Sequence, residues 1–244
     1  MGKRAVLVPI NDAGRERSVE ISVTPLKSDS NDTLGLVLVL HDTSELRGLT
    51  RQMTYQATHD ALTGLVNRRE FERRLSEAMD SAQTGDAAHA LCYLDLDRFK
   101  AVNDTCGHTA GDNMLREIAT IIKEAVRDSD TVGRIGGDEF VVLLNTIRVP
   151  EHALAVAEKI RASLNQSFQL AEHPVLISAS LGIAVYPEHG NEKKQLMRHA
   201  DSAMYRAKKM GGNRFLMAPL ESSSDDEGRS ADNAAVASRS EGLA

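Results

Sequence analysis

Two groups of acids in this chain sit where acids are out of place. Asp95-Leu96-Asp97 follows directly on Leu91-Cys92-Tyr93-Leu94, a continuous apolar run of the kind found in a central buried strand. A carboxylate at the end of such a strand is costly unless it is paired or bound to metal. Asp138-Glu139 follows Gly136-Gly137, and two glycines allow a tight turn with close approach of a ligand to the backbone. If the two strands are neighbours, three or four carboxylates converge. Like charges so close repel unless a divalent cation sits among them. An all-oxygen ligand set suits Mg²⁺ or Mn²⁺, and Mg²⁺ commonly arrives with substrate phosphates. Each acid taken singly is as well explained by a cap or a turn; the two clusters together are not.

Between the clusters runs Phe99 to Asp112. Asn103 and Asp112 can offer an acceptor and donors to a purine edge. An Asp that accepts from N1–H and the exocyclic amine suits guanine, and adenine lacks that donor pair. Asp112 fits N-cap or turn chemistry equally well.

These residues need a scaffold, and the hydrophobic rhythm supplies one. Phe71, Leu75, Ala78 and Met79 mark a helix, and Met114, Leu115, Ile118, Ile122 and Ala125 mark another. Val132–Ile135 and Phe140–Leu144 read as a hairpin around Gly136-Gly137. Leu154, Ala157, Ile160 and Leu164 predict a third helix, and Leu196, Ala200, Ala203, Met204 and Ala207 a last one. Val175, Ile177, Ala179, Leu181, Ile183 and Val185 alternate as one long strand, with a closing strand at Phe215–Met217. The order predicts a single α+β domain of roughly 160 residues. Upstream, Val19, Ile21 and Val23 alternate with Glu20, Ser22 and Thr24, and Gly35–Leu40 is apolar. That is two or three antiparallel strands, too little sheet to stand alone. A linker helix follows, capped by Ser44, with Leu46, Leu49, Met53 and Ala57 on one face. Its stripe suits a packing face or a short coiled coil between two subunits.

Composition narrows the partners. The chain has 244 residues, a net charge of −6, 4% aromatics and no Trp. A binder of nucleic-acid polymers usually shows a basic surplus with stacking aromatics. Residues 219–244 carry −4 of that charge and too little apolar surface to offset ordering entropy, so they are expected to be a disordered acidic tail. No run approaches the ~20 apolar residues that cross a bilayer. No basic segment followed by an apolar one opens this sequence, so secretion is not expected, and Cys92 and Cys106 form no metal-like or redox-like pair. A cytoplasmic setting is the expectation.

Arg134-Ile135-Gly136-Gly137-Asp138-Glu139-Phe140 resembles the signature of the GGDEF family, the diguanylate cyclases. His59-Asp60-Ala61-Leu62-Thr63-Gly64-Leu65-Val66-Asn67-Arg68-Arg69 resembles its entry motif. Asp95 to Lys100, Asn103 to Asp112, and Ala200 to Lys208 resemble three further motifs in the family's order. The resemblance covers about residues 57–217. It implies a nucleotide-cyclase-like palm, with a central, mostly antiparallel sheet wrapped by helices. It implies that two GTP condense to cyclic di-GMP and two pyrophosphates, between two subunits that each hold one GTP. By position, Asp95, Asp138, Glu139 and the Leu96 carbonyl resemble the metal ligands. Asp138 resembles the acceptor of the 3′-hydroxyl proton, a role Glu139 can share. Asn103 and Asp112 resemble the guanine readers, with His108 beside them. Lys100 and Lys208 resemble phosphate contacts, and Phe99, Gly136, Gly137 and Arg214 complete the substrate set. Many relatives carry Arg or Lys where this chain has Gly212. That leaves a phosphate contact missing, or supplied by Arg214 or Lys209, and weaker GTP binding is expected.

Arg127-Asp128-Ser129-Asp130 is an RxxD element separated from Gly136 by the five residues Thr131–Ile135. It resembles the family's product-inhibition site, with Lys159 or Arg161 completing it. Arg127 would clamp a phosphate or stack on guanine, and Asp130 would bind the guanine edge. Residues 1–43 resemble the closing strands of a PAS domain, of which only the last third is present, and 44–58 would be the linker. The competing reading is a weak or inactive GTP or cyclic di-GMP binding module that regulates a phosphodiesterase domain outside this chain.

Overall fold

A computed structural model describes residues 3–12, 15–82, 88–170 and 173–220, with side chains for 18–82, 88–168 and 174–220. The expected acidic tail lies outside the described residues beyond Leu220. The chain divides into two compact units, Met1–Ala61 and Leu62–Ala244.

In the first unit β1 (Lys3–Asp12), β2 (Arg15–Lys27) and β3 (Thr33–Asp42) form an antiparallel meander. Val19 is buried and Ile21 and Val23 half-buried, while Glu20, Ser22 and Thr24 are exposed. Helix α1 (Ser44–Thr58) follows. Ser44 does not cap it. The N-cap is Thr43, Asp42 Oδ1 accepts the Ser44 N–H at 2.9 Å, and Ser44 Oγ instead accepts from Ser18 N at 2.9 Å. The hydroxyl is spent on tying the helix to β2. Leu46, Leu49 and Met53 are exposed, as are Leu34, Leu36, Leu38 and Leu40 on β3.

The second unit comprises β4 (Val66–Asn67), α2 (Arg68–Ala82), β5 (Ala88–Asp97), α3 (Phe99–Cys106), α4 (His108–Ala125), β6 (Thr131–Gly136), β7 (Glu139–Ile147), α5 (Pro150–Leu164), β8 (Ser167–Leu170), β9 (His173–Leu176), β10 (Ser178–Tyr186), α6 (Lys193–Lys209) and β11 (Arg214–Met217). Six strands form one sheet in the order β11-β10-β5-β7-β6-β4. The three inner pairings are antiparallel and both edge pairings parallel. Of the four inner strands, β5 and β10 are buried almost throughout, because helices cover both faces. One core joins the sheet to α3, α4 and α5, and the other joins it to α2 and α6. Gly182 lets α6 lie close: a Cβ there would stand 1.9 Å from the Ala200 carbonyl oxygen.

Two local expectations change. The alternating run 175–185 is not one strand. Ser178 pairs with Asp97, the last residue of β5; beyond it β5 has turned into α3, so β9 pairs with β8 instead. The stretch Phe99–Asp112 is helical, broken at Gly107, whose φ of +82° favours glycine.

Candidate functional site

The sheet register brings the two acidic clusters together. In the antiparallel β5–β7 pair Asp95 stands opposite Glu139, and Leu96 N donates to the Asp138 carbonyl at 3.4 Å. Asp95 is 8% exposed. Its Oδ1 accepts no hydrogen bond of normal geometry, and Lys208 Nζ from α6 lies against it as an ion pair. Burial pushes the Asp95 carboxyl up from 3.8 to about 6; Lys208 opposes that shift, and the charges of Asp138 and Glu139 add to it. Tyr93 OH donates to Glu139 Oε2 at 3.3 Å. Among the described residues no three His, Cys, Asp or Glu side chains are gathered so that they hold a metal ion as they stand. A buried carboxylate with a lysine as counter-charge, repelled by two neighbouring acids, nevertheless fits a divalent cation.

Asp97, two residues along the same strand, is the opposite case. Its carboxylate accepts from Ser178 Oγ and Ser180 Oγ at 2.7 Å each and from Asn213 N at 2.8 Å. It is a structural anchor and leaves the acidic cluster. Gly212 packs on it: at φ +73° a Cβ would sit 2.8 Å from Asp97 Cγ. Three donors hold that carboxylate in place, so a side chain at 212 has no room without moving it. The neighbouring cations are also engaged. Arg214 Nε donates to the Gly212 carbonyl at 3.2 Å, and Lys209 Nζ stands 4.7 Å from the centre of the Tyr205 ring.

The Gly136-Gly137 turn is open: no heavy atom lies within 4 Å of a Cβ built at either glycine. Gly137 has φ +49°. Arg134 clamps the turn, its Nε and Nη2 donating to the Gly137 carbonyl at 2.9 and 2.7 Å. Arg134 carries no role in the sequence reading, because only the bend turns its side chain back onto the turn. Across α3 and α4, Asn103 is half-buried and leans on Gly111, where a Cβ would stand 1.9 Å from Asn103 Oδ1 and 3.2 Å from Phe99 Cζ. Phe99 is buried, while Lys100, His108 and Asp112 are exposed.

A separate cleft of about 300 Å³ lies between the end of α4, β7 and α5, lined by Arg127, Asp130, Asn145, His152 and Lys159 among others. The Asp130 carboxylate accepts from Arg127 N at 3.1 Å and Asn145 N at 3.0 Å. Lys159 Nζ donates to the Glu124 carbonyl at 3.4 Å. Arg161 does not complete this group: it pairs with Glu158 and donates to Asn213 Oδ1 at 3.0 Å.

With this geometry in place, comparison identifies the class. The family model described as "Diguanylate cyclase, GGDEF domain" matches residues 57–214, and the chain belongs to that family. The "Probable diguanylate cyclase DgcE" of Escherichia coli is 39% identical over 206 residues, 84% of this chain and 19% of the relative. The "Bifunctional diguanylate cyclase/cyclic di-GMP phosphodiesterase MucR" of Pseudomonas aeruginosa is 44% identical over 172 residues, 70% of this chain and 25% of the relative. The chain thus spans about a fifth to a quarter of these curated relatives. Among solved structures, the coiled coil and GGDEF domain of DgcB from Caulobacter crescentus in complex with c-di-GMP superposes with a TM-score of 0.67 at 30% identity, covering 71% of this chain and 92% of that one. The likeness places the second unit among GGDEF cyclase domains, with a mixed sheet flanked by helices.

Proposed function

We propose that this chain is a diguanylate cyclase that condenses two GTP to cyclic di-GMP and two pyrophosphates at a site shared by two subunits. The observation that carries the reading is Asp95: a buried carboxylate raised to about 6, facing Asp138 and Glu139 across one strand pair. Mg²⁺ or Mn²⁺, held by Asp95, the Leu96 carbonyl, Asp138 and Glu139, would neutralise the phosphates and lower the pKa of the attacking 3′-hydroxyl. Asp138 takes the proton of that hydroxyl, and Glu139 holds charge beside it. Lys208 leaves Asp95 for a phosphate, with Lys100 and Arg214 as further cations. The open backbone of Gly136 and Gly137, together with Phe99, admits the triphosphate. Asn103 and Asp112 read guanine, with His108 at the edge of the pocket.

Cyclic di-GMP binds in the second cleft, where Arg127 and Lys159 meet its phosphates and Asp130 its guanine, and so inhibits the enzyme. The exposed Leu46, Leu49 and Met53 of α1 support a paired helix between two subunits. We read β1–β3 as the closing strands of a PAS domain. A cytoplasmic setting fits this chemistry; among the described residues no helix is long and apolar enough to cross a membrane.

One observation favours a second reading, a GTP or cyclic di-GMP binding module that turns over weakly or not at all and regulates a phosphodiesterase. Asp97 occupies the space a side chain at 212 would need, and that removes a phosphate contact. Purified chain with GTP and Mg²⁺, assayed for cyclic di-GMP over a range of protein concentrations, decides between them. The cyclase forms product at a rate per subunit that rises with concentration, and Asp138→Ala abolishes it with an unchanged circular dichroism spectrum. GTP binding by calorimetry without product at any concentration supports the module.

A further inference from the structure

Strand β7 carries a bulge. Ala88 pairs with Ile147 and Ala90 with Leu144, so Asn145 and Thr146 together oppose His89. Thr146 stands at φ +52°, a costly conformation for a β-branched residue. What holds it is the imidazole: Thr146 N donates to His89 Nδ1 at 3.2 Å. His89 is 3% exposed. Since Nδ1 accepts, Nε2 carries the proton of the neutral ring, and the Ala78 carbonyl of α2 faces that ring. A bulge re-aims the residues beside it. Here it turns Asn145 toward the RxxD segment, its N–H donating to Asp130 Oδ1 at 3.0 Å and its Nδ2 to the Ser129 carbonyl at 2.5 Å. Asp130 Oδ2 in turn accepts from Arg127 N at 3.1 Å.

We propose that His89 and Asn145 are positioning residues for the cyclic di-GMP cleft, and that protonation of His89 releases the bulge and weakens product inhibition. The proposal rests on the reading of that cleft as the product site. The connection is continuous from His89 through Thr146 and Asn145 to Asp130 and Arg127. A protonated ring would present Nδ1–H to the Thr146 N–H, two donors facing each other, and the strained residue would lose its acceptor. His89 is faced by Thr146 from β7, by Tyr186 from β10 at 6.5 Å between ring centres, and by the Ala78 carbonyl from α2. Burial holds its pKa below 6.5, with that carbonyl acting the other way. The neutral ring is therefore the resting form, and the release falls on the acid side of 6.5.

The test is calorimetry of cyclic di-GMP binding to the full chain over a pH series from about 7.5 down to about 4.5, which reaches below an ordinary imidazole titration because His89 lies lower. At the higher pH, Asn145→Ala and His89→Leu raise Kd about tenfold, the worth of one or two lost hydrogen bonds. Wild-type affinity falls toward the lower pH. His89→Asn, whose Oδ1 stands near the place of Nδ1, binds like wild type at the higher pH and loses the His89 share of the pH dependence. His152 also lines the cleft and is present in both proteins, so only the difference between them belongs to His89. An Asn variant with the wild-type pH slope overturns the proposal. So does wild-type affinity in both His89→Leu and Asn145→Ala while Arg127→Ala has lost binding. Wild-type affinity in Arg127→Ala overturns the product-site reading itself, and the proposal with it.

Discussion

Asp95 and Asp130 both stand beside a strand end of the same sheet, and their surroundings differ in kind. Asp130 accepts two backbone N–H groups and closes the turn that carries Arg127. Asp95 is buried, leans on Lys208 for its counter-charge, and two further acids press on it. The first carboxylate is satisfied by the fold and keeps lone pairs for a ligand. The second is kept in a costly state, and folds keep such groups where a ligand relieves them. The same contrast repeats within one strand, where Asp97 has three donors and Asp95 has an ion pair with Lys208.

The largest expected effect comes from removing the costly charge. Asp95→Asn lowers the rate of cyclic di-GMP formation by at least about a thousandfold, since a metal supplies several kcal/mol of charge stabilisation in such a transfer. The same variant is more stable than wild type without metal. A folded pKa of about 6 against 3.8 means that the native state holds the proton more tightly. Stability attached to this proton is present at low pH and is lost as pH rises from about 4 to about 6. The gain in Asp95→Asn is on the order of 3 kcal/mol above pH 6 and vanishes toward pH 4. Thermal melts at the two pH values check it; an equal gain at both would break the comparison.

Lys208→Met should raise KM for GTP by about tenfold, the worth of one charged phosphate contact, while the Mg²⁺ needed for half-maximal rate falls, because nothing then shares Asp95. Both are read from steady-state rates in Mg²⁺ and GTP titrations. Gly111→Ala should weaken GTP by a smaller factor, roughly threefold to tenfold. The new Cβ must displace Asn103 Oδ1, so discrimination against ATP falls with it. Competition assays with both nucleotides measure that ratio.

At the satisfied carboxylate the effect is on stability. Asp130→Ala frees two backbone donors and costs about 1–2 kcal/mol, a fall in Tm of a few degrees. A change of the opposite sign would show that Asp130 is strained as Asp95 is.

Much of this was legible from residue order. The apolar run before Asp95 and the Gly-Gly turn before Asp138 marked two strands but left their adjacency as a condition, which the β5–β7 pairing meets. The alternation of Val19, Ile21 and Val23 predicted one face of β2. What escaped depends on partners distant in sequence. Asp97 looks identical to Asp95 until Ser178, Ser180 and Asn213 close around it. Ser44 looks like a cap until Ser18 takes its hydroxyl. The break between β9 and β10 follows from where β5 ends, and no periodicity in 175–185 records that. Arg134, His89 and Asn145 act through a bend or a bulge, features with no pattern in a single sequence.

The most direct test is the initial rate of cyclic di-GMP formation from GTP and Mg²⁺ at about pH 8, where an Asp95 carboxyl of about 6 is ionised, compared between wild type and Asp95→Asn. The account predicts product from wild type and a loss of at least about a thousandfold in the variant. No product from wild type at any protein concentration, or equal rates in the two proteins, would contradict it.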